Sequence, residues 1–227
     1  MSAELMLVCR DLRKTYRTNS GSVEAISGIG LDVPMGRYVA VVGRSGSGKS
    51  SLMAIVGGLS RPDGGTVTID GIDIWSLGDA ALAAFRNQAI GYVFQFASLL
   101  PTLRALDNVA LPALLRRRSD TTAVRERAAR LLDSVGLVNH LDAYPSEMSA
   151  GEQRRTAIAR ALINAPRLLL ADEPTSDLDE QSEREIMAQL LRVNREEGVT
   201  LVLVTHALAL AAEADRVVQI ADGTIVS

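Results

Sequence analysis

The run Gly43-Arg-Ser-Gly-Ser-Gly-Lys-Ser50 constrains this chain more than any other stretch of it. Tyr38-Val-Ala-Val-Val42 leads into it as a strand, and Leu52, Met53, Ile55 and Val56 follow at helical spacing. Strand, glycine-rich turn and helix in that order make a P-loop. Glycines allow the backbone to turn its N–H groups inward, and the helix that starts there presents its positive end to an anion. Gly43, Arg44, Ser45, Gly46, Ser47, Gly48 and Ser51 then form a phosphate cradle. Lys49 reaches the β and γ phosphates, and the Ser50 hydroxyl sits on Mg2+. An ordinary Gly/Ser turn with a solvated lysine is the competing account, and it gives no reason for the flanking strand and helix.

Further short β-rich runs recur at Thr66 to Ile69, Ile90 to Phe94, Leu168 to Ala171, Leu201 to Thr205 and Val217 to Ile220. Several are almost unbroken in apolar residues, as strands covered on both faces of a mainly parallel sheet must be. From about residue 96 to 165 the period changes. Val124, Ala128, Leu131, Leu132 and Val135 fall on one helical face ahead of Gly136, which predicts a helical lobe inserted into an α/β core, punctuated by Pro101, Pro112 and Pro145. Another amphipathic helix is expected from Asp179 to about Glu197, ended by Gly198.

The strand Leu168-Leu-Leu-Ala171 ends in Asp172-Glu173-Pro174. Acids are depleted in buried strands, so their place is the carboxyl end of the sheet, where α/β folds bind ligands. Beside a P-loop, Asp172 is placed to hold Mg2+ and Glu173 to polarise an attacking water. An isolated Asp-Glu pair would read as a solvated turn.

The stretch Tyr144-Pro-Ser-Glu-Met-Ser-Ala-Gly-Glu-Gln-Arg-Arg-Thr-Ala-Ile-Ala-Arg-Ala-Leu162 resembles the signature region of ABC ATPases, with Met148-Ser-Ala-Gly-Glu152 where that family usually has Leu-Ser-Gly-Gly-Gln. Ser149 and Glu152 equally form a capping box, and the two readings are compatible, since a capped helix start is an anion site. Tyr16 resembles the aromatic that stacks on adenine, Gln95 the Q-loop residue at Mg2+, Ser176-Asp-Leu-Asp179 the D-loop and His206 the switch histidine. The resemblance covers about residues 7 to 225. It implies a P-loop NTPase fold with a mainly parallel sheet, an antiparallel β subdomain and a helical subdomain, divided as residues 1–95 with 166–227 and about 96–165. It implies ATP hydrolysis with Mg2+ and a head-to-tail homodimer, in which Ser149, Gly151 and Glu152 close over the nucleotide held by the other copy. Glu173, His206, Gln95 and Lys49 are the catalytic set in this resemblance.

Gly91 to Pro112, with Glu152, is similar to the lipoprotein-release, macrolide-export and cell-division ATPases, the LolD, MacB and FtsE type. Their partners are transmembrane permeases with an extracytoplasmic domain, so the expected place is peripheral, on the cytoplasmic side of the inner membrane. Transport and mechanical signalling both remain compatible with this subgroup. Ala150 stands where the family has glycine, and a positive φ there would cost about 1 kcal/mol. Ala207 follows His206 where aspartate is common.

Bulk properties narrow the classes further. With 24 Lys and Arg against 27 Asp and Glu, the net charge of -3 gives no basic surface for nucleic acid, which disfavours a DNA- or ribosome-directed ATPase. The single cysteine, Cys9, reads as a small buried residue of an early strand. The start Met-Ser-Ala-Glu lacks the layout of a secretory signal, so the chain is expected in the cytoplasm. Val199 to Ala212 is too short to cross about 30 Å of hydrocarbon, and a membrane would be spanned by another subunit. Arg116-Arg-Arg118 reads as a solvated helix end.

Overall fold

The computed structural model describes residues 4–18, 21–116 and 119–226. Two sheets organise the chain. The first is antiparallel, in the order β2-β1-β4-β5, from β1 (Leu5–Thr18), β2 (Gly21–Pro34), β4 (Gly64–Ile69) and β5 (Ile72–Asp73). The second runs β10-β9-β3-β8-β7-β6, from β3 (Tyr38–Val42), β6 (Ile90–Val93), β7 (Leu168–Asp172), β8 (Thr200–Val204), β9 (Arg216–Ala221) and β10 (Thr224–Ile225). Strands β6 to β9 and β3 pair in parallel, and only β10 runs against its neighbour.

Every residue of β3, β7 and β8 is buried, which accounts for sequences that are apolar except at Asp172 and Thr200. One face of this sheet packs with the antiparallel sheet and α1 (Lys49–Val56) around Leu7, Ile29, Leu52 and Ile69. The other face packs on α6 (Glu180–Glu197) through Ile186, Leu190 and Val193. Asp179 caps α6 by accepting from the N–H groups of Gln181 and Ser182, and Gly198 ends it at φ 70°. Cys9 is buried in β1, and burial pushes its thiol up to about 12.

Helix α2 (Asp79–Ala89) precedes β6, and between β6 and β7 lie α3 (Ala105–Leu114), α4 (Thr121–Ser134) and α5 (Ala150–Leu162), joined by a third core that includes Val109, Leu132 and Ile163. The apolar face read at Ala128, Leu132 and Val135 is buried there, and Gly136 follows at φ 74°. Pro112 corrects its sequence reading: it lies inside α3 rather than at a break, and its carbonyl accepts from the Asn87 side chain at 2.9 Å. Pro101 and Pro145 do sit outside the α-helices. Arg116 is exposed after α3, while Arg117 and Arg118 fall outside the described residues.

Candidate functional site

Register assembles the site. Val204 of β8 pairs with Val41 of β3 on one side and Asp172 of β7 on the other, so three adjacent parallel strands end level. The turn after β3 is the glycine-rich run, Glu173 follows β7, Thr205 and His206 follow β8, and Gln95 lies just beyond the neighbouring β6. Carboxyl ends of parallel strands are where this class of sheet binds ligands.

Within the turn, Gly46 and Gly48 have φ of 78° and 106°. At Gly48 a Cβ would stand 2.3 Å from the Ala25 carbonyl oxygen, so only glycine fits, and α1 begins at the next residue. Lys49 is buried, and its ammonium donates at 2.9 Å to the carbonyls of both Gly43 and Arg44. The Ser47 hydroxyl is buried with no hydrogen-bond partner. Arg44, Ser45 and Gly46 are exposed at the mouth of the turn, with Ser51 half-buried behind it. An orphaned hydroxyl, a lysine held only by neutral carbonyls and a helix N-terminus fit a polyanionic ligand.

Asp172 is 8% exposed, with Oδ1 3.5 Å from the Ser50 hydroxyl oxygen. Burial, with the adjacent Glu173 charge, raises its carboxyl above the ordinary value, against the opposing pull of Ser50 and Lys49. A buried carboxylate paying for its charge beside a hydroxyl is a donor set suited to a hard divalent cation. Among the described residues no three His, Cys, Asp or Glu cluster as a metal cage, so such an ion would take its remaining ligands from phosphate and water.

Glu173 adopts φ 45°, held by its N–H on the Val204 carbonyl at 2.9 Å and by its own carbonyl, which accepts from the Ser176 N–H and hydroxyl at 3.2 and 3.0 Å. Its Oε2 lies 3.5 Å from Nδ1 of His206, whose ring is largely exposed. Sequence reasoning passed over Thr205. Its buried hydroxyl accepts from the Ala207 N–H at 3.0 Å and fixes the turn that carries His206. A threonine two residues before the turn's next N–H was the available signal.

Tyr16 is 37% exposed on β1, its hydroxyl 3.5 Å from that of Ser60. Ser149, Gly151 and Glu152 stand apart from the glycine-rich turn, joined to it by no hydrogen bond among the described residues. Ser149 caps α5, its hydroxyl accepting from the Glu152 N–H at 3.3 Å while the Glu152 carboxylate accepts from the Ser149 N–H at 2.7 Å. That N–H bond, as the largest cause, holds Glu152 below the usual carboxylate range, and His140 stands 3.3 Å from its other oxygen. Ala150 is the first residue of α5 and is not among the residues with positive φ, so the strain expected for a side chain at that position does not arise.

Residues 26–176 match the ABC transporter family. The chain is 49% identical over 224 residues to the lipoprotein-releasing system ATP-binding protein LolD of Geobacter metallireducens, covering 98% of each chain. It is also 49% identical over 223 residues to the macrolide export ATP-binding/permease protein MacB of Rhodopirellula baltica, where 97% of this chain spans 32% of that one. Its fold superposes on the dimeric post-hydrolysis structure of the ATP-binding cassette MJ0796 bound to ADP and Pi with a TM-score of 0.92 at 37% identity, covering 98% of this chain and 97% of that one. The cradle at the strand ends and these likenesses converge, and the chain belongs to the ABC transporter family as an ATP-hydrolysing ATP-binding cassette.

Proposed function

We propose that this chain is the motor of an ABC-type membrane complex, in which two copies pair head to tail around ATP and drive export or mechanical work by a permease with an extracytoplasmic domain. The observation that carries the reading is the separation of two half-sites on one chain. Lys49, Asp172, Glu173 and His206 gather at the strand ends, while the capped N-terminus of α5 makes no hydrogen bond or ion pair with any of them among the described residues. A complete site then needs a second copy.

In this reading the N–H groups of residues 45–50 and the Lys49 ammonium bind the β and γ phosphates, and the Tyr16 ring stacks on the adenine. Ser50, Asp172 and Gln95 would hold Mg2+, which supplies neutralisation of the phosphate charge. Glu173 accepts a hydrogen bond from the attacking water and takes its proton as the bond from the water oxygen to the γ phosphorus forms and the bond from that phosphorus to the β–γ bridging oxygen breaks, leaving ADP and phosphate. His206 contacts the γ phosphate while its Nδ1 steadies the Glu173 carboxylate. Ser149, Gly151 and Glu152 of the other copy present α5 to the same phosphate and shut out bulk water.

The permease has a suitable seat. A groove of about 770 Å³ opens beside Gln95, lined by Leu59, Ala83, Ile90, Phe94 and Leu115, among others, with Arg86 and Arg116 at its edge. Leu59 and Leu115 remain exposed there, and Phe96 is 69% exposed on the adjoining loop. No described helix is long and apolar enough to cross a membrane. Attachment through this groove gives a peripheral position on the cytoplasmic side of the inner membrane, with no role for nucleic acid. The LolD and MacB relatives point to lipoprotein release or macrolide export as the classes of work.

Replacing the base tests the assignment. Glu173→Gln is expected to lower hydrolysis by about 10^2- to 10^4-fold while ATP still binds and a dimer accumulates in light scattering. Unchanged hydrolysis would remove Glu173 from the role of base. Lys49→Ala should lose binding and turnover together.

A further inference from the structure

The loop at residues 94–98, which carries Gln95, is held at both ends by the helix capped by Ser149. Arg154 of α5 donates from Nη1 to the Phe94 carbonyl at 2.7 Å. Arg160, farther along the same helix, donates to the carbonyls of Ser98 and Ala97 at 2.8 and 2.9 Å. The approach is close because β6 offers Gly91 to α5. A Cβ there would stand 2.7 Å from the Ala161 carbonyl oxygen.

Neither arginine forms an ion pair among the described residues, whereas Arg155 between them pairs with Glu185 of α6 at 2.9 Å. Arg154 is 6% exposed, and its Nε has no hydrogen-bond partner. Burial lowers the pKa of both guanidinium groups, offset at Arg154 only by the charge of Asp177 in the turn after β7. A buried guanidinium satisfied by neutral carbonyls alone is a costly way to fasten a loop, and an apolar side chain would fill the space more cheaply. What the arginines add is geometry. At Arg160 a planar fork bonded to the successive carbonyls of Ala97 and Ser98 fixes position and orientation together, which a lysine's point charge does not, and the single Arg154 bond pins the other end of the loop at Phe94.

The loop so fixed lies between two places that must communicate. It adjoins the apolar groove through Phe94 and carries exposed Phe96, and Gln95 follows β6, whose last residue, Val93, pairs with Ala171 next to Asp172. The helix to which it is fixed starts with Ser149 and Gly151. We propose that Arg154 and Arg160 are positioning residues that make the 94–98 loop and α5 move as one body, so that displacement of the loop from the groove re-aims the helix start at the nucleotide of the other copy. This rests on the head-to-tail dimer proposed above. It assigns no contact with ATP to either arginine.

Amide hydrogen exchange, read by mass spectrometry in a Glu173→Gln background with and without ATP and Mg2+, tests it. In that parent, ATP should slow exchange at residues 149–156 and at residues 94–98 in parallel. Adding Arg154→Gln and Arg160→Gln should abolish the ATP-dependent slowing in the loop, with nucleotide affinity of the monomer unchanged. Arg160→Lys, the milder change should the glutamines fail to fold, should give partial loss. Arg155→Gln, which breaks only the exposed pair to Glu185, should leave the loop response intact. Loop protection equal in the parent and the Arg154 and Arg160 variants would overturn the proposal alone. Absence of any ATP-dependent protection in the parent would overturn the dimer reading, and the proposal with it.

Discussion

Glu173 pays for its position in backbone energy, and that cost can be measured apart from its chemistry. At φ 45° it occupies the left-handed region, which costs a residue with a Cβ about 1–2 kcal/mol. Glycine escapes that penalty but loses about 0.5–1 kcal/mol more chain entropy on folding than alanine does. The difference predicts that Glu173→Gly is more stable than Glu173→Ala by about 1 kcal/mol, or about 2–4 °C in Tm for a domain of this size. Both variants lack the carboxylate and its contact with His206, so the comparison isolates the backbone, and both should lose hydrolysis alike. Calorimetry of the nucleotide-free proteins at neutral pH is the assay. A glycine variant melting at or below the alanine variant would show that the bonds from Val204 and Ser176 hold a relaxed backbone, and that the site stores no strain there.

Ala150→Gly should relieve nothing, because Ala150 is already helical; the expected result is a loss of about 0.5–1 kcal/mol in thermal stability and no gain in turnover, checked by melting and steady-state hydrolysis. Asp172 has a raised folded pKa, so the fold binds its proton more tightly than the unfolded chain does, and stability falls as pH rises through the interval between the ordinary and the raised value. Asp172→Asn should therefore raise Tm without nucleotide at neutral pH, lose that advantage in acid, and abolish Mg2+-dependent hydrolysis. Glu152 has the opposite sign: its folded pKa is lowered, so its contribution is present above the ordinary glutamate value and lost as pH falls through the folded value. Glu152→Ala should cost about 1 kcal/mol at neutral pH by opening the capping box, a deficit that a pH series of melts should see vanish in acid.

The residues that act through chemical type were legible in the sequence; those that act through position were not. Gly43 to Ser50, the acids after Ala171 and the helix start at Ser149 each carry a local reason for their residue types, and in the structure the first two lie at the carboxyl ends of parallel strands and the third at the N-terminus of α5. Strands β1 and β2 were harder to read. Their pairing is broken by several register shifts, and much of β2 is exposed, so neither a clean alternation nor an apolar run announces them. Pro112 misled because proline marks breaks more often than helix interiors. The positive φ of Glu173 had no local signature at all, since a strained backbone persists only where tertiary bonds from other strands impose it.

Arg154 and Arg160 illustrate the same limit at a functional level. In the sequence the three arginines of this helix, Arg154, Arg155 and Arg160, would read as a solvated face, and only the fold separates Arg155, paired with a carboxylate, from the two that bond to carbonyls. The two half-sites of the proposed dimer are likewise built on different elements, one on parallel strand ends and one on a helix outside that sheet. A cassette so divided can bind ATP on a preformed cradle yet withhold hydrolysis until the second body is aimed. On the proposed reading, turnover answers to whatever moves the 94–98 loop, and a permease seated in the adjoining groove controls the motor without touching its nucleotide.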